Sequence, residues 1–348
     1  MAVGECGTKP SSRLARSTIA CCICLACSLA PSARALDREE LAVIINADDS
    51  LSVRIGEYYA SQRHIPARNV IRVHFRAQTP ALTRAEFEGV KADVDRQVPA
   101  AVQAFALTWA APYRVDCMSI TAAFAFGFDR AYCAVGCKPT RPSPYFASRS
   151  VRPFAELGMR PTMAIAATSF EEAKALIDRG VSSDSSSPRG AAYLLSTSDS
   201  ARNIRSVWYP TVVQMFAARL PVRVLKADAL EYRSDVLFYF TGSARVPGLA
   251  TLRFVPGALA DHLTSTGGML TDSRQMSALR WLEAGATGSY GTVVEPCAML
   301  QKFPHPAVAI ERYLAGETLI EAYWKSVAMP GQGIFIGEPL AAPFRSSR

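Results

Sequence analysis

Apolar and polar positions along this chain fall into two kinds of block. Short, wholly apolar runs ("LAVIIN", "NVIRVHF", "PTMAIAAT", "AAYLLST", "PVRVLKA", "DVLFYFTG") alternate with segments whose apolar residues recur at helical spacing, such as "LSVRIGEYYASQR" and "FEEAKALIDRG". Polar punctuation supports the division. Asp48, Asp49 and Ser50 close the first run and stand where a helix cap is needed. Thr83 with Glu86, and Ser169 with Glu172, have the spacing of capping boxes, and Gly180 is placed to stop the second of those helices. Later come "ATLRFVPGALADHLTSTGGML", a helix "QMSALRWLEAG" and a strand "ATGSYGTVVEPC". Strands that alternate with helices and are apolar along their whole length predict an α/β fold, with a mostly parallel sheet and helices on both faces.

Two stretches interrupt the rhythm. Residues 117–160, rich in aromatics, Pro, Cys and Ser, read as an insertion or long loop, and residues 181–190 ("VSSDSSSPRG") read as a polar connector. No internal repeat stands out.

The N-terminus follows another rule. Basic residues precede the apolar run "STIACCICLACSLA", and "SARALD" supplies a small-x-small pattern, so residues 1–35 read as a secretory signal cleaved after Ala35. Lipid attachment through Cys21 or Cys27 is the alternative, without a leucine in the expected place. No later run has the roughly 20 uncharged apolar residues of a membrane span. The expectation is an exported protein, periplasmic or extracellular, with residues 36–348 as a single large α/β domain; 348 residues at 49% hydrophobic content suffice for one.

This leader also changes the charge and the cysteine count. Of the net charge of +8, the leader carries +3 (Lys9, Arg13, Arg16 and Arg34 against Glu5), leaving +5 dispersed over the rest. That is too mild and too even for a nucleic-acid partner. Five of the nine cysteines leave with the leader. Cys117, Cys133, Cys137 and Cys297 remain in an oxidising compartment, where disulfides are expected.

Candidate chemistry gathers where parallel strands end, since ligands of such sheets bind beyond their carboxyl ends. That rim collects Asp48 and Asp49, Thr241 and Gly242, Asp261 and His262, and Glu295 and Cys297. As a general base, His262 would be oriented by Asp261 or Asp272 and would activate Cys297 or Ser265. Structurally, Asp261 and His262 would instead cap a helix, with Gly267 and Gly268 in a turn. Cys297 is either a thiolate nucleophile or half of a disulfide, with Cys117 as its partner if Cys133 and Cys137 pair locally. Glu295 beside it opposes thiolate formation. Asp48 and Asp49 suit an acid–base pair, a cation site or a helix cap. Cys133-x-x-x-Cys137 is too loosely spaced, with no nearby histidine, for a zinc expectation, and nothing in the sequence calls for a cofactor. Phe124, Phe126 and Phe128 alternate with small residues and suit either a groove or the core.

Two resemblances follow from longer stretches. "IGEYYASQRHIPARNVIRV", "CMSITAAFAFGFD", "GALADHLTSTGG", "WLEAGATGSYGTVVEPC", "EAYWKSVAMPGQG" and "FIGEPLAAPF" resemble an uncharacterised family of exported bacterial proteins found alongside the exosortase protein-sorting system. Residues 235–344 resemble the caspase-like, gingipain-type cysteine peptidases. In that fold one strand ends in His-Gly, the next in the nucleophilic Cys, and a helix leads to a "GA" strand. The series here is "LFYFTG", "RFVPGALADHL", "ALRWLEAGATGSYGTVV", "GETLIEAYWKSV" and "IGEPLA". Thr241 occupies the histidine's place, and no cysteine follows the "RFVPGALAD" run. The resemblance therefore implies a caspase-like topology with an empty dyad. Its functional expectation is a degenerate peptidase-like, binding or accessory protein that takes an exported protein or peptide. The alternatives are a cysteine peptidase or transpeptidase using Cys297 and His262, or a hydrolase built on Ser265 and Asp261.

Overall fold

The computed structural model describes residues 35–346 except Val135. The apolar runs become a ten-stranded sheet. Its strands are β1 (Leu41–Asn46), β2 (Val70–Val73), β3 (Ala104–Leu107), β4 (Thr162–Ala164), β5 (Ala191–Ser196), β6 (Val222–Lys226), β7 (Val236–Gly242), β8 (Phe254–Leu263), β9 (Gly288–Thr292) and β10 (Gly333–Gly337). They lie in the order β2-β1-β3-β4-β10-β9-β8-β7-β5-β6.

The order contains the same winding twice. From β1 the chain steps outward to β2, returns past β1 to β3 and continues to β4, with every pairing parallel. From β5 it steps outward to β6, returns to β7 and continues to β8 and β9, again in parallel. β10, the last strand made, enters between the two sets. It pairs antiparallel with β9 over Gly288–Thr292 and meets β4 at Ile336–Ala164. This is the mostly parallel α/β sheet that the strand pattern predicts. The duplicated winding leaves no trace in the sequence because it resides in strand order, not in residue identity.

The expected caps form. Asp49 caps α1 (Ser50–Gln62), accepting from the Leu51 N–H at 3.0 Å. Thr83 and Glu86 close a capping box on α2 (Arg84–Gln97), and Ser169 and Glu172 close one on α4 (Phe170–Ser183). Gly180 does not stop that helix. It lets the helix pass Glu338, whose Cγ lies 2.5 Å from where a Cβ would stand. Glu338 in turn accepts from Arg63 Nε at 2.9 Å, and Arg63 also pairs with Asp184.

Three other expectations need correction. Within 117–160, α3 (Ile120–Phe126) is core, not loop. Its Phe124 meets Phe87 at 5.3 Å and Trp109 at 6.2 Å, because small alternating residues let the helix sit close on the sheet. The segment "QMSALRWLEAG" forms only one short helix, α6 (Leu279–Glu283), after α5 (Tyr209–Phe216). Finally, Asp261 and His262 do not cap a helix. They are the last residues but one of the ten-residue strand β8, which runs on through polar positions because each finds a buried partner.

Two C-terminal helices complete the cover: α7 (Pro306–Leu314), and α8 (Leu319–Ser326) with a capping box from Thr318 and Glu321. Trp324 of α8 stacks on Phe335 of β10 at 4.3 Å. Among the described residues no helix is long and apolar enough to cross a membrane.

Candidate functional site

In a sheet wound this way, the crevice opens where neighbouring strands send their connections to opposite sides. This protein has two such points, between β1 and β3 and between β5 and β7.

The second is filled. A Cβ on Gly242 would lie 2.0 Å from the Arg202 carbonyl oxygen, so the Arg202–Asn203 backbone covers the end of β7. Thr197 Oγ1 donates to the Gly242 carbonyl at 2.6 Å, and Asn203 Oδ1 accepts from the Thr197 N–H at 3.0 Å. Below this plug Arg205 is fully buried. It pairs with Asp261 and donates to the Thr241 carbonyl at 2.8 Å. Burial pushes Asp261 up to about 6, opposed by the Arg205 charge.

His262 points to the other face of β8, as alternation along a strand requires. Trp281 Nε1 donates to His262 Nδ1 at 2.9 Å, so the proton of the neutral ring sits on Nε2, which donates to the Met276 carbonyl at 3.1 Å. Burial lowers its pKa from 6.5 to about 3. Both ring nitrogens are committed to the core, and Asp261 is not the group that orients the ring.

Cys297 is in a disulfide with Cys137, and Cys117 with Cys133; each pair has a Cα–Cα distance of 5.3 Å. All four candidate cysteines are thus paired, but not as Cys117–Cys297 with Cys133–Cys137. A three-residue spacer favoured local closure by proximity alone. The actual partners are set by the packing of 117–147 against the ends of β9 and β10. Glu295 accepts from the Cys297 N–H at 2.8 Å, which holds the turn that presents the sulfur to Cys137.

Glu295, Cys297 and Ser265 share a small cleft of about 130 Å³ with Arg202 and Thr264. Ser265 contributes its carbonyl, which accepts from Thr292 Oγ1 at 2.9 Å. Arg202 Nε donates to Thr264 Oγ1 at 3.2 Å, and Gln275 Oε1 accepts from Thr264 Oγ1 at 2.8 Å. His262 does not line this cleft. Arg202, Arg205 and Gln275 are the residues missed by sequence reasoning. The three-residue spacing of the arginines in "SARNIRS" was the available signal, but nothing marked one as buried.

The first crevice is open. A cleft of about 360 Å³ lies between the ends of β1 and β3, lined by Asp49, Leu51, Gln78, Trp109, Ala167 and Thr271 among others. Trp109, one of the lining residues, is buried and donates to the Pro112 carbonyl at 3.1 Å. Asp48, on the same rim, faces His74 Nδ1 at 2.8 Å. From the second winding Asp272 reaches across to accept from the Tyr113 hydroxyl at 2.6 Å. The candidates therefore separate into two groups: Asp48, Asp49 and Asp272 near the open crevice, and Thr241, Gly242, Asp261, Ser265, Glu295 and Cys297 around the filled one. Among the described residues no group of three or more His, Cys, Asp or Glu side chains is placed to hold a metal.

No protein-family model and no curated protein matches this chain. Solved structures do. The crystal structure of the Arg-specific cysteine proteinase gingipain R aligns with a TM-score of 0.53 at 11% identity, over 89% of this chain and 79% of that one. The complex of Porphyromonas gingivalis RgpB pro- and mature domains aligns with a TM-score of 0.50 at 10% identity, over 87% and 79%. At such identities the likeness is one of architecture: this chain has the caspase-like fold of the gingipain-type cysteine proteinases.

Proposed function

We propose that this protein is an exported, catalytically silent peptidase-like protein that binds exported polypeptides during envelope protein sorting. The link to exosortase-type sorting rests on the sequence resemblance. The observation that supports the loss of catalysis is the plugged crevice between β5 and β7, where Arg202 and Asn203 cover Gly242; the resemblance places Thr241 where such peptidases have a histidine. A cysteine nucleophile needs a free thiol, and a base that activates it must be within hydrogen-bond reach. Cys297 is oxidised and His262 is committed to Trp281 and Met276. The two disulfides suit an oxidising compartment. Binding is assigned to the open crevice over Trp109, where an apolar floor with a few polar rim groups suits an extended peptide.

Peptide-library digestion with and without reductant tests the silence, and no turnover is expected in either. Reductant-dependent cleavage that disappears in both Cys297→Ser and His262→Ala would sink this reading in favour of a cysteine peptidase. Binding is tested with a photo-crosslinker at Thr168 in the producing cell. It should capture exported proteins, and Trp109→Ala should reduce the yield about tenfold, the loss expected for one buried aromatic anchor.

A further inference from the structure

Leu36 is fully buried, and its backbone N–H donates to Glu321 Oε2 at 3.1 Å. Its carbonyl accepts from Arg345 Nη2 at 2.6 Å, so the C-terminal segment holds it in place. Glu321 is itself fully buried. Its Oε2 also accepts from the Thr318 N–H at 3.0 Å and from Thr318 Oγ1 at 2.6 Å, completing the cap of α8. Among the described residues its Oε1 has no hydrogen-bond partner and no cation pairs with it. The neighbouring charges are already committed: Lys325 Nζ lies 2.9 Å from Glu317, and Arg312 lies 3.6 Å from the same carboxylate. A buried carboxylate with hydrogen bonds but no counter-ion is an incomplete arrangement, because burial without a paired charge is costly.

The missing cation is encoded by the sequence. Ala33-Arg34-Ala35 is a small-x-small cleavage signal, and its scissile bond is the one that makes the Leu36 nitrogen an amide. Hydrolysis adds water across the Ala35–Leu36 bond. The carboxylate leaves with the leader, and the Leu36 nitrogen becomes an amine, which is protonated at neutral pH since α-amino groups titrate near 8.

We propose that leader removal supplies the counter-ion for Glu321. The new Leu36 α-ammonium pairs with that carboxylate where the amide already sits, so cleavage after Ala35 tightens the fold as well as freeing the chain. The uncleaved form lacks this pair and is held together less firmly at the junction of its N-terminus, α8 and the C-terminal segment.

The test compares thermal unfolding at pH 7 of the chain beginning at Leu36 with the same chain retaining Ala35. The retained residue keeps the Leu36 amide hydrogen bond and removes only the charge from that atom. The Leu36 chain should melt higher by about 5 °C, and Glu321→Gln should erase the difference. Should that variant not fold, acetylating the Leu36 amine serves instead and should bring its melting down to that of the Ala35 chain. N-terminal sequencing of the exported protein should begin at Leu36. Equal melting of the two chains, or a mature terminus elsewhere, overturns the inference, and neither result bears on peptidase activity or on binding at Trp109.

Discussion

Asp261 and His262 are adjacent in sequence and serve opposite faces of β8, one against a guanidinium and the other against an indole. The pH behaviour of His262 follows from burial. Its folded pKa is depressed to about 3 while the unfolded ring titrates near 6.5, so between those values the unfolded chain holds more protons. Stability therefore falls as pH drops from 6.5 towards 3. His262→Asn, which keeps an acceptor for Trp281 and cannot charge, should flatten that decline, recovering on the order of 3 kcal/mol at pH 4 relative to the wild-type loss. Guanidinium titrations from pH 4 to pH 8 check this, and an unchanged slope would assign the acid sensitivity elsewhere. At this scale the sequence is partly legible. Asp49 as a cap was visible, because a cap depends on local neighbours. The burial of His262 and Arg205 was not visible, because it depends on Trp281 and Asp261, which only tertiary packing brings to them.

Among elements, α2 and α4 were legible from their capping boxes, and each carries a glycine with a different meaning. Gly89 on the exposed face of α2 has no atom within 4 Å of an added Cβ, whereas Gly180 on α4 has Glu338 at 2.5 Å. Gly89→Ala should stabilise by up to about 1 kcal/mol through helix propensity. Gly180→Ala gains the same propensity but collides with a carboxylate fixed by Arg63, and should destabilise by about 1–3 kcal/mol. Chemical denaturation of the two variants is expected to move the midpoint in opposite directions, and movement in the same direction would contradict the contact argument. Helical spacing alone misplaced the end of α4, because it scores Gly180 as a stop and is blind to what passes beside it. It over-extended α6 for a related reason: the residues before Leu279 form a turn that follows the ends of β8 and β9, a constraint from outside the segment.

For the whole molecule, the alternation of apolar runs and helices was enough for the sheet class, since a strand covered on both faces must be apolar throughout. Disulfide pairing was out of reach, because Cys137 and Cys297 lie 160 residues apart and their meeting depends on the complete fold. That separation gives the bond its effect on stability. Cys297→Ser should lower it by about 2–5 kcal/mol, as for other long-loop bridges. Its unfolding midpoint under oxidising conditions should approach that of the Cys137→Ser variant, and a midpoint equal to the wild type would show the bond to be dispensable.

The position of β10 has a consequence for the order in which the molecule can form. Among the described strands it alone joins the two windings in the sheet, and it follows all the others in the chain. Until it arrives, β4 and β9 each present an open edge with unpaired backbone groups, the kind of surface on which chains join incorrectly. A chain emerging N-terminus first would thus carry two half-sheets that cannot close on each other until Gly333–Gly337 has followed them, so this strand acts as the fastener of the sheet.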